Sequence, residues 1–237
     1  MKEQVTAIVL AAGRGSRMKS NVRKQYMNVG GKPLIYYALK TFEESQVDQI
    51  ILVTGEAELD YCRKEIVEHY GFQKVTAVIP GGQERYHSVY EGLKAAKNSR
   101  YVLIHDGARP CVTVKNIEDA IAGAKACQAC VVGVPVKDTI KVADEQQYAD
   151  KTPDRSRLWA VQTPQAFSFA LVYEAYQKLM NAPEKYPSVT DDAMVVECTM
   201  DRKVKLIPGN YENIKVTTPE DILLAEVFLE KMKKIEK

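Results

Sequence analysis

Apolar residues gather along this chain in short runs, separated by longer stretches in which they recur at helical spacing. Thr6–Leu10, Gln49–Val53, Val75–Ile79, Tyr101–His105 and Cys130–Val136 are nearly continuous apolar segments of strand length, the pattern of strands covered on both faces. Between them, Pro33–Glu44, Glu58–Tyr70, Ser88–Ala96 and Val114–Lys125 carry the spacing of amphipathic helices. The alternation predicts an α/β fold: a doubly wound, mostly parallel sheet with right-handed crossovers. Ligands of such sheets bind beyond the carboxyl ends of the strands. Ala11–Met18, Gly81–Arg85 and Asp106–Pro110 all fall there.

The alternation breaks at Lys137–Trp159, a polar stretch that ends in the strand-like Leu158–Gln162. Two readings fit it: a hairpin arm projecting from the domain to embrace a second subunit, or a long surface loop. Gln162-Thr-Pro-Gln165 then predicts a turn of structural role. A helix, a polar loop, strands at Val204–Ile207 and Ile214–Thr217 and a final helix from Pro219 complete the chain. No linker or internal repeat divides it, so residues 1–237 are expected to form a single domain, arm included at about 137–160.

Charge narrows the partners little. A net charge of +2 gives no reason to expect nucleic acid, and no apolar run approaches the ~20 residues of a membrane helix. The opening Met-Lys-Glu-Gln lacks the pattern of a signal peptide, so a cytoplasmic protein is expected. Five cysteines form no secreted framework. Cys127-Gln-Ala-Cys130 has the spacing of a redox pair or half a zinc site, but no second half exists. Two small residues where a helix meets a buried strand account for it equally well.

Candidate chemistry concentrates after the first strand, in LAAGRGSRMKSNVRKQY (10–26). Small residues with five cations suit a polyphosphate. The terminal Gly-Lys-Ser/Thr of a P-loop is missing. So is the third glycine of a dinucleotide fingerprint, since Gly13-Arg-Gly15-Ser-Arg ends in Met18. A dehydrogenase is therefore disfavoured. Backbone amides of Ala11, Ala12, Gly13 and Gly15 can approach phosphates closely, and cations beside them would stabilise charge on a reacting phosphoryl group. Arg14, Lys19 and Arg23 read as solvated surface charge.

LAAGRGSRM…KQY resembles the signature of sugar-nucleotide pyrophosphorylases and cytidylyltransferases. GGQERYHSV (81–89), HDGARPCV (105–112), PVKDTIK (135–141), LWAVQTPQAF (158–167), TDDA (190–193) and NIKVTTPEDILLAE (213–226) follow in order. Together they resemble the 2-C-methyl-D-erythritol 4-phosphate cytidylyltransferases of the non-mevalonate isoprenoid pathway over nearly the whole chain. The resemblance implies a Rossmann-like nucleotidyltransferase fold and cytidylyl transfer from CTP to a polyol phosphate. It also implies a dependence on Mg²⁺ and a homodimer formed through the arm. By that resemblance Arg17 and Lys24 contact the phosphates and stabilise the transition state. Gly82, Gln83, Ser88 and Gly107 contact the nucleotide, with Ser88 also able to cap its helix. Lys215, Arg155, Thr139 and Arg109 position the second substrate, Arg155 from the neighbouring subunit.

Asp106, a carboxylate ending an apolar strand, needs a bonded partner or a metal. Mg²⁺, a helix cap and an ion pair with Arg109 are its possible explanations. His105 alternates away from Asp106 and reads as a packed histidine. Arg23 stands where this family usually has proline, Gln83 and His87 occupy positions that are often acidic, and Gly107 replaces a common alanine. Ribitol-5-phosphate cytidylyltransferase shares many of the motifs, and a nucleotide-binding regulator without catalysis is a further alternative. No nucleophilic serine or cysteine constellation is present, which agrees with direct transfer to an already ionised phosphate.

Overall fold

The computed structural model describes residues 3–13, 23–186 and 188–235. Strand β1 (Val5–Ala11) is followed by the short pair β2 (Asn28–Val29) and β3 (Lys32–Pro33), then α1 (Leu34–Glu44) and β4 (Gln49–Thr54). α2 (Leu59–Tyr61) runs into a π-helical stretch, Cys62–Glu68, before β5 (Val75–Pro80), α3 (Arg85–Ala95) and β6 (Tyr101–Asp106). α4 (Val114–Cys127) and β7 (Ala129–Pro135) lead into the short strands β8 (Val142–Ala143) and β9 (Ala149–Lys151). β10 (Trp159–Ser168), α5 (Phe169–Asn181), α6 (Asp192–Met200), β11 (Lys205–Pro208) and α7 (Pro219–Ile235) complete the order.

Among the described residues the main sheet has seven strands in the order β11-β7-β10-β6-β1-β4-β5. β1 pairs in parallel with both β4 and β6, so the chain reverses its direction of winding at β1. That reversal opens a crevice at the carboxyl ends of β1 and β6. β10 is antiparallel to both β6 and β7. Its direction follows from the arm: the chain leaves the carboxyl end of β7, turns back through β8 and β9, and re-enters without a helical crossover.

Alternate side chains of β1 enter opposite layers. Val5, Ala7, Val9 and Ala11 join α1 and α4 on one face, while Ile8 and Leu10 join α3, α5 and α6 on the other. A third cluster gathers Leu34, Tyr37, Ala108, Val216 and Leu229, and so seats α7 against the loop after β6. The doubly wound, mostly parallel sheet expected from the pattern is therefore present.

Two local expectations differ. Ile214–Thr217 forms no strand. A turn at Asn210–Asn213 precedes it, and Val216 donates one backbone hydrogen bond to Ala108 (2.8 Å) while its side chain packs under α7. Gln162–Gln165 is not a turn but lies inside β10, where the register with β7 shifts between Val161 and Gln165. The stretch at 137–159 does hold a hairpin, β8 with β9, whose strands are wholly exposed. Asp144 closes it by accepting from the backbone amides of Gln146 and Tyr148 (3.0 and 2.8 Å). Cys127 is exposed while Cys130 is buried, and the two are not joined.

α3 lies close to the sheet because Gly92 carries no side chain. A Cβ there would stand 2.5 Å from Ile8 Cγ2 and 3.3 Å from Val53 Cγ2. Gly92→Ala gains helix propensity but overpacks this contact, and is expected to lower unfolding free energy by about 1–3 kcal/mol in urea titrations.

Candidate functional site

A cleft of about 580 Å³ opens at the carboxyl ends of β1 and β6, where the winding reverses. Ala12 and Gly13 line it from the end of β1, Gly82 and Gln83 from the loop after β5, and Ser88 from α3. Lys24, Asp106 and Lys215 form the facing wall. A second cleft of about 240 Å³ adjoins it, shares Arg85, Asp106 and Lys215 with it, and adds Arg109, Thr163 and Asp191. The structure thus brings together most of the residues singled out by sequence.

The others lie elsewhere. Ala11 is buried in β1. Gly107 lies behind the cleft wall, donating its amide to Leu10 O (2.9 Å), and a Cβ would come within 2.9 Å of that oxygen. Thr139 and Arg155 are exposed on the arm, where Arg155 Nη1 donates to Lys137 O (2.8 Å). Gly15 and Arg17, like Arg14 and Lys19, lie outside the described residues.

Local bonding explains the cleft's shape. Glu84, rather than Ser88, precedes α3, and its amide donates to His87 Nδ1 (3.2 Å). Ser88 sits inside the first turn, accepting from the Gly82 amide (3.1 Å) and donating to Glu84 O (3.3 Å). It therefore ties the two-glycine turn to the helix. Lys24 is almost fully buried and donates through Nζ to Val216 O (2.9 Å), which draws the C-terminal segment onto the cleft. Arg23 is not a solvated surface charge: it pairs with Glu58 (2.7 Å) and donates to Ala12 O (2.7 Å).

Asp106 is the electrostatic centre of the site. Lys215 Nζ lies 2.6 Å from one carboxylate oxygen and Arg85 Nε 3.2 Å from the other. Burial by itself would favour the neutral acid, but the charges of Arg85, Lys215 and Arg109 hold the carboxyl well below its ordinary range. Of the three explanations the sequence offers for Asp106, an ion pair with Arg109 is not the one found: Arg109 acts on Asp106 only through its field, and its Nη1 donates to Asn213 O (2.8 Å).

Sequence reasoning missed Arg85 and Asp192. Arg85 makes a two-pronged pair with Asp192 (2.9 and 2.8 Å), whose Oδ1 also accepts from the Tyr176 hydroxyl (2.5 Å). Asp192 is fully buried, so the pair links the cleft wall to the core under α5 and α6. The available signal was Arg85 inside the Gly81–Val89 motif and two successive aspartates at 191 and 192. Of these, Asp191 caps α6, accepting from the Met194 amide (2.9 Å).

No group of three or more His, Cys, Asp or Glu side chains among the described residues could hold a metal unaided. Asp106 faces the cleft as a single ionised carboxylate with its side chain about 11% exposed. Such a donor fits a hard cation that shares its coordination with phosphate oxygens and water. It does not fit a zinc or iron centre.

A mostly parallel α/β sheet with a cationic, glycine-lined cleft at its winding reversal defines a nucleotidyltransferase-type enzyme. The model of the 2-C-methyl-D-erythritol 4-phosphate cytidylyltransferase family matches residues 5–231, and the chain belongs to that family. A protein of that name from Lachnoclostridium phytofermentans is 50% identical over 227 residues, 96% of this chain and 97% of the relative. One from Lachnospira eligens is 52% identical over 225 residues, 94% and 98% of the two chains. The crystal structure of 4-diphosphocytidyl-2C-methyl-D-erythritol synthase from Anaerococcus prevotii superposes with a TM-score of 0.83 at 36% identity, covering 96% of both chains.

His105 behind the site is packed, as its place in the strand suggested. It is fully buried, with Nδ1 3.0 Å from Thr163 Oγ1 and Nε2 3.3 Å from Arg109 O. Burial lowers its pKa from 6.5 to about 4. The unfolded chain therefore binds the extra proton first between pH 6.5 and 4, and stability falls as pH falls through that window. The expected loss is on the order of 3 kcal/mol, and His105→Gln should flatten this part of the profile in denaturant titrations across pH.

Proposed function

We propose that this enzyme transfers a cytidylyl group from CTP to 2-C-methyl-D-erythritol 4-phosphate, releasing pyrophosphate in isoprenoid precursor synthesis. The observation that carries the reading is the pair of adjoining clefts that share one charged wall of Arg85, Asp106 and Lys215. The nucleotide occupies the larger cleft, its phosphates over Ala12 and Gly13 and against Lys24, with the base toward Gly82, Gln83 and Ser88. The polyol phosphate occupies the smaller one against Arg109 and Lys215. Its phosphate oxygen then faces the α-phosphorus across the shared wall.

A new bond forms between that oxygen and the α-phosphorus, and the bond from the α-phosphorus to the bridging oxygen of the β-phosphate breaks. The phosphate is already ionised at neutral pH, so the transfer needs no general base. Like charges must approach, and fixed cations lower that cost. Asp106 is the residue that would hold Mg²⁺, which when bound neutralises charge on the phosphate oxygens. Arg17 belongs with Lys24 in this reading as a contact to the phosphates.

Arg155 and Thr139 serve the smaller cleft of a second subunit, and the arm is the dimer contact. Exposed Ile140, Val142 and Tyr148 on the arm support this, Tyr148 at 74% exposure. The five free cysteines accord with a reducing, cytoplasmic setting, and no helix among the described residues is long and apolar enough to cross a membrane.

The test is pyrophosphate release with CTP and Mg²⁺, offering methylerythritol 4-phosphate and ribitol 5-phosphate separately. Turnover is expected with the first. Turnover with ribitol 5-phosphate alone would reassign the second substrate, and binding of CTP without turnover on either would favour a regulator. For the arm, mixing Arg155→Ala with Lys24→Ala protein should restore activity above either parent, because one site of a mixed dimer then holds both native residues while the other holds neither. Mixtures no better than their parents would refute a contribution from the partner.

A further inference from the structure

Arg23 does work that no phosphate contact requires. Its guanidinium bridges three parts of the cleft rim. Nη1 donates to Ala12 O (2.7 Å), Nε pairs with Glu58 (2.7 Å), and the group lies in the space above Gly55. A Cβ on Gly55 would stand 2.5 Å from Nη1 and 2.7 Å from Cζ. Beside it, Gln25 Nε2 donates to Gly13 O (3.1 Å). Two side chains after the glycine-rich loop thus take hold of two successive carbonyls before it.

Peptide geometry makes this consequential. The C=O and N–H of a trans peptide point in opposite directions, so fixing the Ala12 carbonyl fixes the Gly13 amide on the other side. A phosphate cradle needs amides turned toward the anion and carbonyls turned away. Glu58 restrains Arg23, since the carboxylate and the Ala12 carbonyl are held by different nitrogens of one planar group.

We propose that Arg23, anchored by Glu58, is a positioning residue that orients the Ala12–Gly13 peptide toward the nucleotide's phosphates. The inference rests on the placement of CTP in the larger cleft. It is distinguishable from direct phosphate binding by sign. If Arg23 touched phosphate itself, removing the Glu58 charge would strengthen nucleotide binding by lifting a repulsion. If Arg23 acts through the peptide, losing its anchor weakens binding.

Calorimetric titration of CTP into the wild type, Arg23→Ala, Arg23→Lys, Glu58→Gln and the double variant Arg23→Ala/Glu58→Gln separates these. Arg23→Ala is expected to weaken CTP about tenfold and raise its KM in step, leaving the KM of the polyol phosphate within about twofold. Glu58→Gln should weaken CTP severalfold, and the double variant should bind no worse than Arg23→Ala. Arg23→Lys should recover only part, because an ammonium lacks the two-sided fork. Gly55→Ala adds no charge and suits the ordinary φ of −68° there, yet should weaken CTP by pushing aside both the Glu58 carboxylate and the guanidinium it anchors.

Unchanged CTP affinity in Arg23→Ala, or tighter binding in Glu58→Gln, overturns the proposal while leaving the nucleotide's placement intact. Equal loss for both substrates with a collapsed melting temperature would make Arg23 a purely structural residue and also overturn it. A folded wild type that fails to bind CTP refutes the placement of the nucleotide itself.

Discussion

The constraint on which this structure turns is that Asp106 must stay ionised although burial favours its neutral form. A carboxylate at the end of an apolar strand is tolerable only if cations are brought to it and held. Lys215 comes from the last loop of the chain and Arg85 from the first turn of α3. Arg85 is in turn divided between Asp106 and Asp192, so the first turns of α3 and α6 are fixed relative to β6. Two carboxylates and two cations balance locally. In the proposed reaction the charge of incoming phosphates would be met by further cations, and Lys24 and Arg109 line the two clefts.

The elements whose origin is periodic were legible in the sequence. Continuous apolar runs marked β1, β4, β5, β6 and β7, and the place of the cleft followed from where they end. The reversed β10 was not legible, because direction is set by how the arm returns and not by any residue within the strand. Ile214–Thr217 has the composition of a strand, yet its apolar side chains are used under α7. Ser88 was misplaced because a serine before an apolar stretch resembles a cap, whereas Glu84 and His87 close the helix start between themselves.

Residues that line the cleft at motif positions were easier to find than those that act through other residues. Asp106, Lys24 and Lys215 were named from sequence and meet at one cleft. Arg85 and Asp192 were not, since a buried ion pair between residues so far apart leaves no local pattern. Arg23 was misjudged for a related reason: a cation in a basic stretch resembles solvated charge until its acceptors are seen.

The cleft draws on nearly the full length of the chain, from Ala12 in the first loop to Lys215 in the last. Val216 is stitched to Ala108 and to Lys24, so the final segment closes a wall that earlier residues leave open. On a ribosome, where the amino-terminal end emerges first, β1 and β6 can pair long before Lys215 has been made. Until it arrives, Asp106 lacks one of its two ion-pair partners. A nascent chain can therefore pair β1 with β6 well before the charged wall is complete, and that wall closes only near the end of synthesis.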